Sequence, residues 1–491
     1  MELTETFIAL LGGFAPVFTA PSFQTFQLLM TGWIMSVRHR YVTDLIVSSD
    51  SVGNGHFSDY HRFFSQAAWN IDNLWQHLAR LVVSVFCGSD GRILLVADDT
   101  LCRKRGLTLF GAGMHHDPLI SSRAMKLVSW GHDWVILSLV VVHPWWAPTK
   151  VFALPICARL YRNRQGLTKS QKKDPQQSRA GKSTSAKKSS KKCEQPSKKA
   201  KRTASQQKGK TKKAQKKADL GHRTRPELLR EMLALVASWF ADREFLLVVD
   251  SLYSGESVLR YLPENMDLIG PVHPKAALYA PAPEPVKRGR GGPRKKGERL
   301  SSRDAWAADR TAWEELPFDQ FGLHAILEVK TRTGLYYKAG KDRLLKFVLS
   351  RDTSGDRPTH IYYCTNLEWD AKEILSYFSH RWASEVLHFD AKQYLGLEDP
   401  ANRKPLAVER TAPMALFLYS LTVVWYAQYG HRHLKFPNRT WYKRKKEPSF
   451  ADMLTTLRRV TWEDEFSRVL RKSTLWKKKL TLLTYLATLA G

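Results

Sequence analysis

At 491 residues and 43% apolar content the chain is long enough for roughly three domains and a sizeable core, while its formal net charge of +31 calls for a polyanionic partner, nucleic acid above all. An anionic membrane fits poorly, because the sequence has neither a basic amphipathic helix nor a lipid-attachment motif. Its five scattered cysteines, with no Cys-x-x-Cys pair, argue against a zinc ribbon or a disulfide framework and fit a reducing, cytoplasmic interior.

Residues 1–90 read as helical, with one helix over Ser22 to Val37 after Pro21 and a longer one over Ser58 to Phe86. This region is either a DNA-binding domain or a helical cap on its neighbour. Glu2, Glu5, Pro16 and Pro21 make it a poor signal peptide. ILLVA (Ile93 to Ala97) predicts a buried strand ending in Asp98 and Asp99, and Trp134 to Val142 and Lys150 to Tyr161 predict two more. His115, His116 and Asp117 lack the spacing and thiols of a zinc site and are expected in a solvated loop.

Residues 164–222 are rich in Lys, Ser, Gln and Ala and nearly devoid of apolar side chains, so they are expected to be disordered. They carry more than half of the net positive charge, which reads as a polybasic tether for DNA. Beyond them come an amphipathic helix from Pro226 and the strand FLLVVD (Phe245 to Asp250). Residues 271–357 hold strand-like runs and the basic loop Lys287 to Arg299, a phosphate-contact candidate. HIYYCTN (His360 to Asn366) is again strand-like, and the last ninety residues read as mostly helical, with Ala415 to Ala427 too short for the ~20 residues of a bilayer span. Most tryptophans are expected in the core, Trp382 among them. No glycine-rich nucleotide loop is present, so ATP is not implied.

Between the strand at 360 and the C-terminal helices lies FSHRWASEVLHFDAK, Phe378 to Lys392. On one helix, at about 100° per residue, Phe378, Arg381, Glu385 and Lys392 fall within a stripe roughly 60° wide. Leu375, Trp382, Val386 and Phe389 form a neighbouring apolar stripe expected to pack on the sheet. If the strands ending at Asp98 or Asp99 and at Asp250 are neighbours, the helix adds Glu385 to a carboxylate cluster. Such a cluster needs a cation, and hard divalent ions with oxygen ligands supply one. Two ions about 3.5–4 Å apart suit an in-line phosphoryl displacement.

On these residues the chain resembles the DDE transposases of bacterial insertion sequences, in the subgroup with a Tyr–Arg–Glu–Lys signature. Arg381, Glu385 and Lys392 match its spacing, with Phe378 in the tyrosine place and Tyr377 one position early. DDTLCRKRG matches the family's first-aspartate segment at Asp98, Asp99, Thr100, Lys104 and Gly106, and VVDSLYSG its second at Asp250. The resemblance covers about 91–163 and 223–430, and the Lys-rich tract departs from it. It implies an α/β fold: an RNase H-like core of a mixed five-stranded sheet with helices, a β-rich insertion, and helical N- and C-terminal regions.

The domains would be 1–90, N-terminal helical; 91–163, 223–270 and 358–400, RNase H-like core; 164–222, Lys-rich linker; 271–357, insertion; and 401–491, C-terminal helical. The family chemistry implies Asp98, Asp250 and Glu385 as catalytic and metal-binding residues, with Asp99 as the alternative to Asp98. The cofactor would be two Mg²⁺ ions, with Mn²⁺ able to substitute. Phe378, Arg381, Lys392 and Lys104 would contact DNA, and the chain would act as a homodimer on double-stranded DNA, at terminal inverted repeats and target sites, by cut-and-paste. Two rivals are a noncatalytic nucleic-acid-binding protein or inactive remnant, and a metal-dependent nuclease without strand transfer. Removing about residues 170–218 is expected to weaken nonspecific DNA binding and flatten its dependence on log salt; an unchanged slope in a titration would refute the tether.

Overall fold

Aliphatic and β-branched runs build one continuous sheet through this protein, seen in a computed structural model that describes residues 3–89, 91–122, 124–163, 222–283, 294–320, 323–352, 358–436 and 445–470. The Lys-rich tract and most of the basic loop at 287–299 lie outside the described residues. Five helices come first: α1 (Glu5–Gly12), α2 (Ala20–Met35), α3 (Val42–Ser48), α4 (Phe57–Ser65) and α5 (Ile71–Phe86). The expected helix over Ser58 to Phe86 is therefore two. The first ends at Ser65, where the Gln66 amide closes the last turn on Arg62 O, and Asn70 opens the second, its side-chain oxygen accepting from the Asp72 amide at 2.7 Å.

The sheet contains β1 (Ile93–Arg103), β2 (Gly113–His116), β3 (Val128–Val142), β4 (Val151–Tyr161), β5 (Phe245–Val249), β6 (Met266–Pro271), β7 (Glu314–Gln320), β8 (Leu323–Leu335), β9 (Leu344–Asp352) and β10 (His360–Cys364). Among the described residues its order is β2-β3-β1-β5-β6-β10-β9-β8-β7, with β4 also on β3. The run β4-β3-β1 is antiparallel, whereas β1-β5-β6 is parallel. The strands of 314–352 form no separate sheet: β9 pairs with β10 and continues the same one.

Parallel strands demand helices as crossovers. α6 (Arg225–Trp239) leads into β5; it opens with a capping box in which Thr224 and Glu227 satisfy each other's backbone amides. The short α7 (Glu256–Leu259) follows β5, while α8 (Arg303–Ala308) and α9 (Tyr337–Gly340) sit in the 271–357 region. After β10 come α10 (Ala371–Ser379), α11 (Trp382–Leu395), α12 (Pro405–Thr411), α13 (Pro413–Gln428) and α14 (Phe450–Leu470). The N-terminal helices share one apolar core with the rest of the chain: Phe14 meets the Phe417 ring edge-on at 4.9 Å, and Trp425 Nε1 donates to Thr6 at 3.0 Å. α13 is buried from Pro413 to Tyr426, so it is an apolar-all-round core helix. No described helix is long and apolar enough to cross a membrane.

Burial raises the Asp390 carboxyl on α11 to about 7, with Lys150 only partly opposing it. The folded-state value exceeds the ordinary carboxylate range, so ionising Asp390 costs stability progressively from that range up to about pH 7. Asp390→Asn removes the cost. Its stability gain should reach roughly 2 kcal/mol at about pH 8 and be much smaller near pH 4. Urea unfolding at the two pH values checks this, and equal gains would contradict it.

Candidate active site

The parallel register of β1 and β5 ends at Ala97 opposite Val249, which sets Asp98 beside Asp250. At this point β5 stops, while β1 runs on to Arg103 against β3 alone. The aspartates are therefore not at the end of β1, as expected from ILLVA, but in its middle, because β3 still supplies hydrogen-bond partners. A cavity of about 1800 Å³ opens where β5 ends. Asp98, Asp250 and Glu385 all line it, as do Phe378, Arg381 and Lys392.

Side chains alternate along a strand. Asp98 faces α11, where its Oδ2 accepts from Ser384 Oγ at 3.0 Å and from Arg381 at 3.3 Å. The same guanidinium reaches Glu385 Oε1 at 3.1 Å, so Arg381 joins the β1 and α11 carboxylates. Asp99 accepts instead from the Tyr253 hydroxyl at 2.9 Å and pairs with Arg225 at 3.3 Å. Burial and the nearby Asp133 raise Asp99 to about 7. Asp250 is also raised, first by burial and then by Asp98. Its Oδ1 caps the following turn, accepting from the Leu252 amide at 2.9 Å.

Phe378 to Lys392 is not one helix. A tight turn at His380 and Arg381 separates α10 from α11, with bonds from Arg381 N to Phe378 O, Ala383 N to His380 O and Ser384 N to Arg381 O. Such i to i+3 bonds rotate each residue by about 120° instead of 100° and advance the helical phase. The apolar stripe shifts accordingly: Trp382, Val386 and Phe389 are exposed, whereas Ala383, Leu387, Ala391 and Leu395 are buried. The expectation that Trp382 is core is thus corrected, while Trp33, Trp75, Trp134 and Trp425 are fully buried. Gly396, at φ +62°, ends α11 in the left-handed conformation that favours glycine.

Several contacts fix α11 against β1. Lys392 Nζ donates to Leu101 O at 2.7 Å and lies 3.7 Å from Glu398. Lys104 donates to the Glu398 and Pro400 carbonyls at 2.5 and 2.9 Å, and burial lowers its pKa. It is engaged in this turn and is not among the residues lining the cavity. From the N-terminal region, Trp33 Nε1 of α2 donates to Leu395 O at 2.8 Å, and Arg40 Nη2 of the α2–α3 loop to Tyr394 O at 2.7 Å.

Histidines 115 and 116 and Asp117 do not form a solvated loop. His115 and Asp117 are buried, the first 3.5 Å from Asp133 and the second clasped by Arg103 at 2.7 and 3.0 Å. The β2–β3 pairing, invisible in so short a run, buries every second residue there. The residue reading also missed His388, which lines the cavity one turn beyond Ser384; burial lowers it to about 4 and its Nε2 lacks a partner among the described residues. Its i, i+4 spacing from Ser384 was the available signal. The basic loop expected to contact phosphate supplies Lys296 to the cavity lining, but the tyrosines it meets were missed: it lies 3.7 Å over the Tyr279 ring and 5.3 Å from that of Tyr337.

As placed, no three His, Cys, Asp or Glu residues among those described stand close enough to hold a metal ion together. Arg381 supplies the positive charge between Asp98 and Glu385. The donors nevertheless fit a hard divalent cation: Asp98 and Asp250 are neighbouring carboxylates, and burial first and the Asp98 charge second raise Asp250. Glu385 joins them only if Arg381 turns away.

A family model described as DDE superfamily endonuclease matches residues 13–336. The match includes Asp98 and Asp250 and the helices α2 to α5, begins after α1 and stops before α10 and α11. No curated protein matches the chain. Because Asp98 raises Asp250, Asp98→Asn should move the Asp250 carboxyl titration to lower pH, whereas Asp99→Asn, on the other face, should shift it less. Carbon-13 NMR titration of the Asp250 carboxyl reads this, and equal shifts would contradict the facing assigned to the two residues.

Proposed function

This chain belongs to the DDE superfamily endonucleases, and we propose that within that family it is a transposase of the Tyr–Arg–Glu–Lys subgroup. Members of the superfamily use divalent metal ions, usually Mg²⁺, and act on DNA. The observation that carries the reading is the single cavity shared by Asp98, Asp250 and Glu385, with Arg381 between the first and last. The strands β4-β3-β1-β5-β6, three antiparallel and then parallel, would be the RNase H-like core, and residues 271–357 the insertion that forms the far wall.

In this proposal Asp98, Asp250 and Glu385 hold two Mg²⁺ ions, with Mn²⁺ able to replace them. When bound, such ions activate the attacking oxygen and stabilise the departing one. The chain's own residues position the DNA. Arg381 leaves its carboxylates for a phosphate oxygen, a bidentate acceptor suited to a guanidinium. Lys296 and the tyrosines beside it supply a cationic and aromatic wall for a strand. Phe378 packs on a sugar or base, and Lys392, at the far end of the stripe, adds a positive charge near the backbone. Water breaks one P–O bond, releasing a 3′-hydroxyl. That hydroxyl then attacks a second phosphodiester and its leaving 3′-oxygen takes up the proton. Joining two ends requires two copies on DNA.

With DNA flanking the coding sequence and Mg²⁺, the wild type should nick and then yield joined products. Glu385→Gln should lose both by at least roughly 100-fold while binding persists. Gel analysis of labelled strands separates the readings. Equal nicking by both proteins would sink the role of Glu385; binding without nicks would favour a noncatalytic protein; nicks without joined products would favour a nuclease.

A further inference from the structure

The tip of the β2–β3 hairpin exposes large apolar side chains where no core needs them. Leu119 is 79% exposed, Ile120 48% and Met125 62%. The tip is firmly built. Buried Asp117 accepts from Arg103, from Ser129 Oγ at 2.6 Å and from the Leu119 amide at 3.1 Å. Ser121 Oγ donates to Asp117 O at 2.6 Å and accepts from the Leu127 amide at 2.9 Å. The apolar residues are thus held out on a braced support. Exposed apolar clusters of this kind mark contact surfaces.

Position and charge choose the occupant. Leu119 lines the same cavity as Asp98 and Asp250, so a protein seated on it would obstruct that cavity. Lys126 lies in the tip itself and Arg105 follows β1 two residues after the Arg103 that clasps Asp117; both are exposed, with no carboxylate partner seen among the described residues. An apolar point between cations matches a base step between two phosphates. Leucine, isoleucine and methionine are among the side chains that enter base steps and unstack them.

We propose that this hairpin tip, led by Leu119 and Ile120, is a wedge that opens one base step of the DNA lying in the cavity. The proposal rests on the reading that the cavity binds DNA, and deepens it. By unstacking a step beside the carboxylates, the wedge would kink the duplex and turn the adjoining phosphate toward them. Arg105 and Lys126 would hold the phosphates on either side.

The test uses full-length protein and short duplexes of the DNA flanking the coding sequence, with 2-aminopurine placed at successive steps and no divalent metal added. Wild-type protein should raise the fluorescence at one step. The double variant Leu119→Ser, Ile120→Ser should abolish that rise while binding stays within roughly threefold at matched salt. With Mg²⁺ its nicking should fall roughly tenfold, and a mismatch placed at the same step should restore it. Because both side chains face solvent, the variant should unfold at the same temperature as the wild type; Met125→Ser provides a second, milder arm. A rise that survives in the double variant would overturn the wedge, as would wild-type binding with no rise at any step. Loss of self-association in the variant with unaltered fluorescence would assign the surface to a second copy instead. Wild type that opens the step but never nicks would keep the wedge and sink the transposase reading, so the two fail separately.

Discussion

Arg381 lies between two carboxylates, Asp98 and Glu385, the first of them 283 residues away in the chain. The rest of the cavity depends on this bridge. Parallel pairing of β1 with β5 forces Asp98 and Asp250 side by side at the point where the sheet opens, and Asp250 is raised by its burial and then by the Asp98 charge. Without a cation nearby, that pair would cost several kcal/mol or take up a proton. The guanidinium answers the charge on Asp98 and brings Glu385 to the same place. A positive charge that holds the pocket together and also suits a phosphate is a natural competitor for the ions such a pocket would receive.

A bridge of this kind works only if α11 is held in register with β1. Lys392 and Lys104 provide this by donating to backbone carbonyls, Lys392 to Leu101 and Lys104 to Glu398 and Pro400. Two donors from the N-terminal region, Trp33 on α2 and Arg40 in the loop after it, grip the C-terminal end of α11 through the Leu395 and Tyr394 carbonyls. The helical N-terminal region therefore takes part in shaping the cavity, in keeping with a family match that begins at residue 13. On the reverse face, Asp99, Asp133, Arg225 and Tyr253 form their own network, anchoring α6 to the middle strands. Adjacent aspartates on one strand thus have different side-chain partners, although both line the cavity and the charge on Asp98 still raises Asp99.

The sheet explains why the far wall exists. Residues after β6 leave the core and return as β7, β8 and β9, which add to β10 edge by edge. Continuous pairing joins this wing to the sheet that carries β1 and β5, and Tyr279, Tyr337 and Lys296 line the same cavity as the carboxylates. A detached insertion would have left the cavity one-sided.

Local pattern determined a good deal: the apolar strands around 93, 134, 150, 245 and 360, the helix before β5, the buried character of α13, and the carboxylates and cations that share the cavity. These are legible because side-chain periodicity and β-branching act over a few residues. What only the tertiary structure decided depends on partners distant in sequence. β1 continues past its apolar run because β3 pairs with it; His115 and Asp117 are buried because a hairpin folds over them; Trp382 is exposed because three i to i+3 hydrogen bonds shift the phase of its helix. Asp98 faces one way and Asp99 the other on any strand, but which of them meets Asp250 and Arg381 was set by the register of β1 on β5, a choice made by backbone pairing across the sheet and carried by no residue alone.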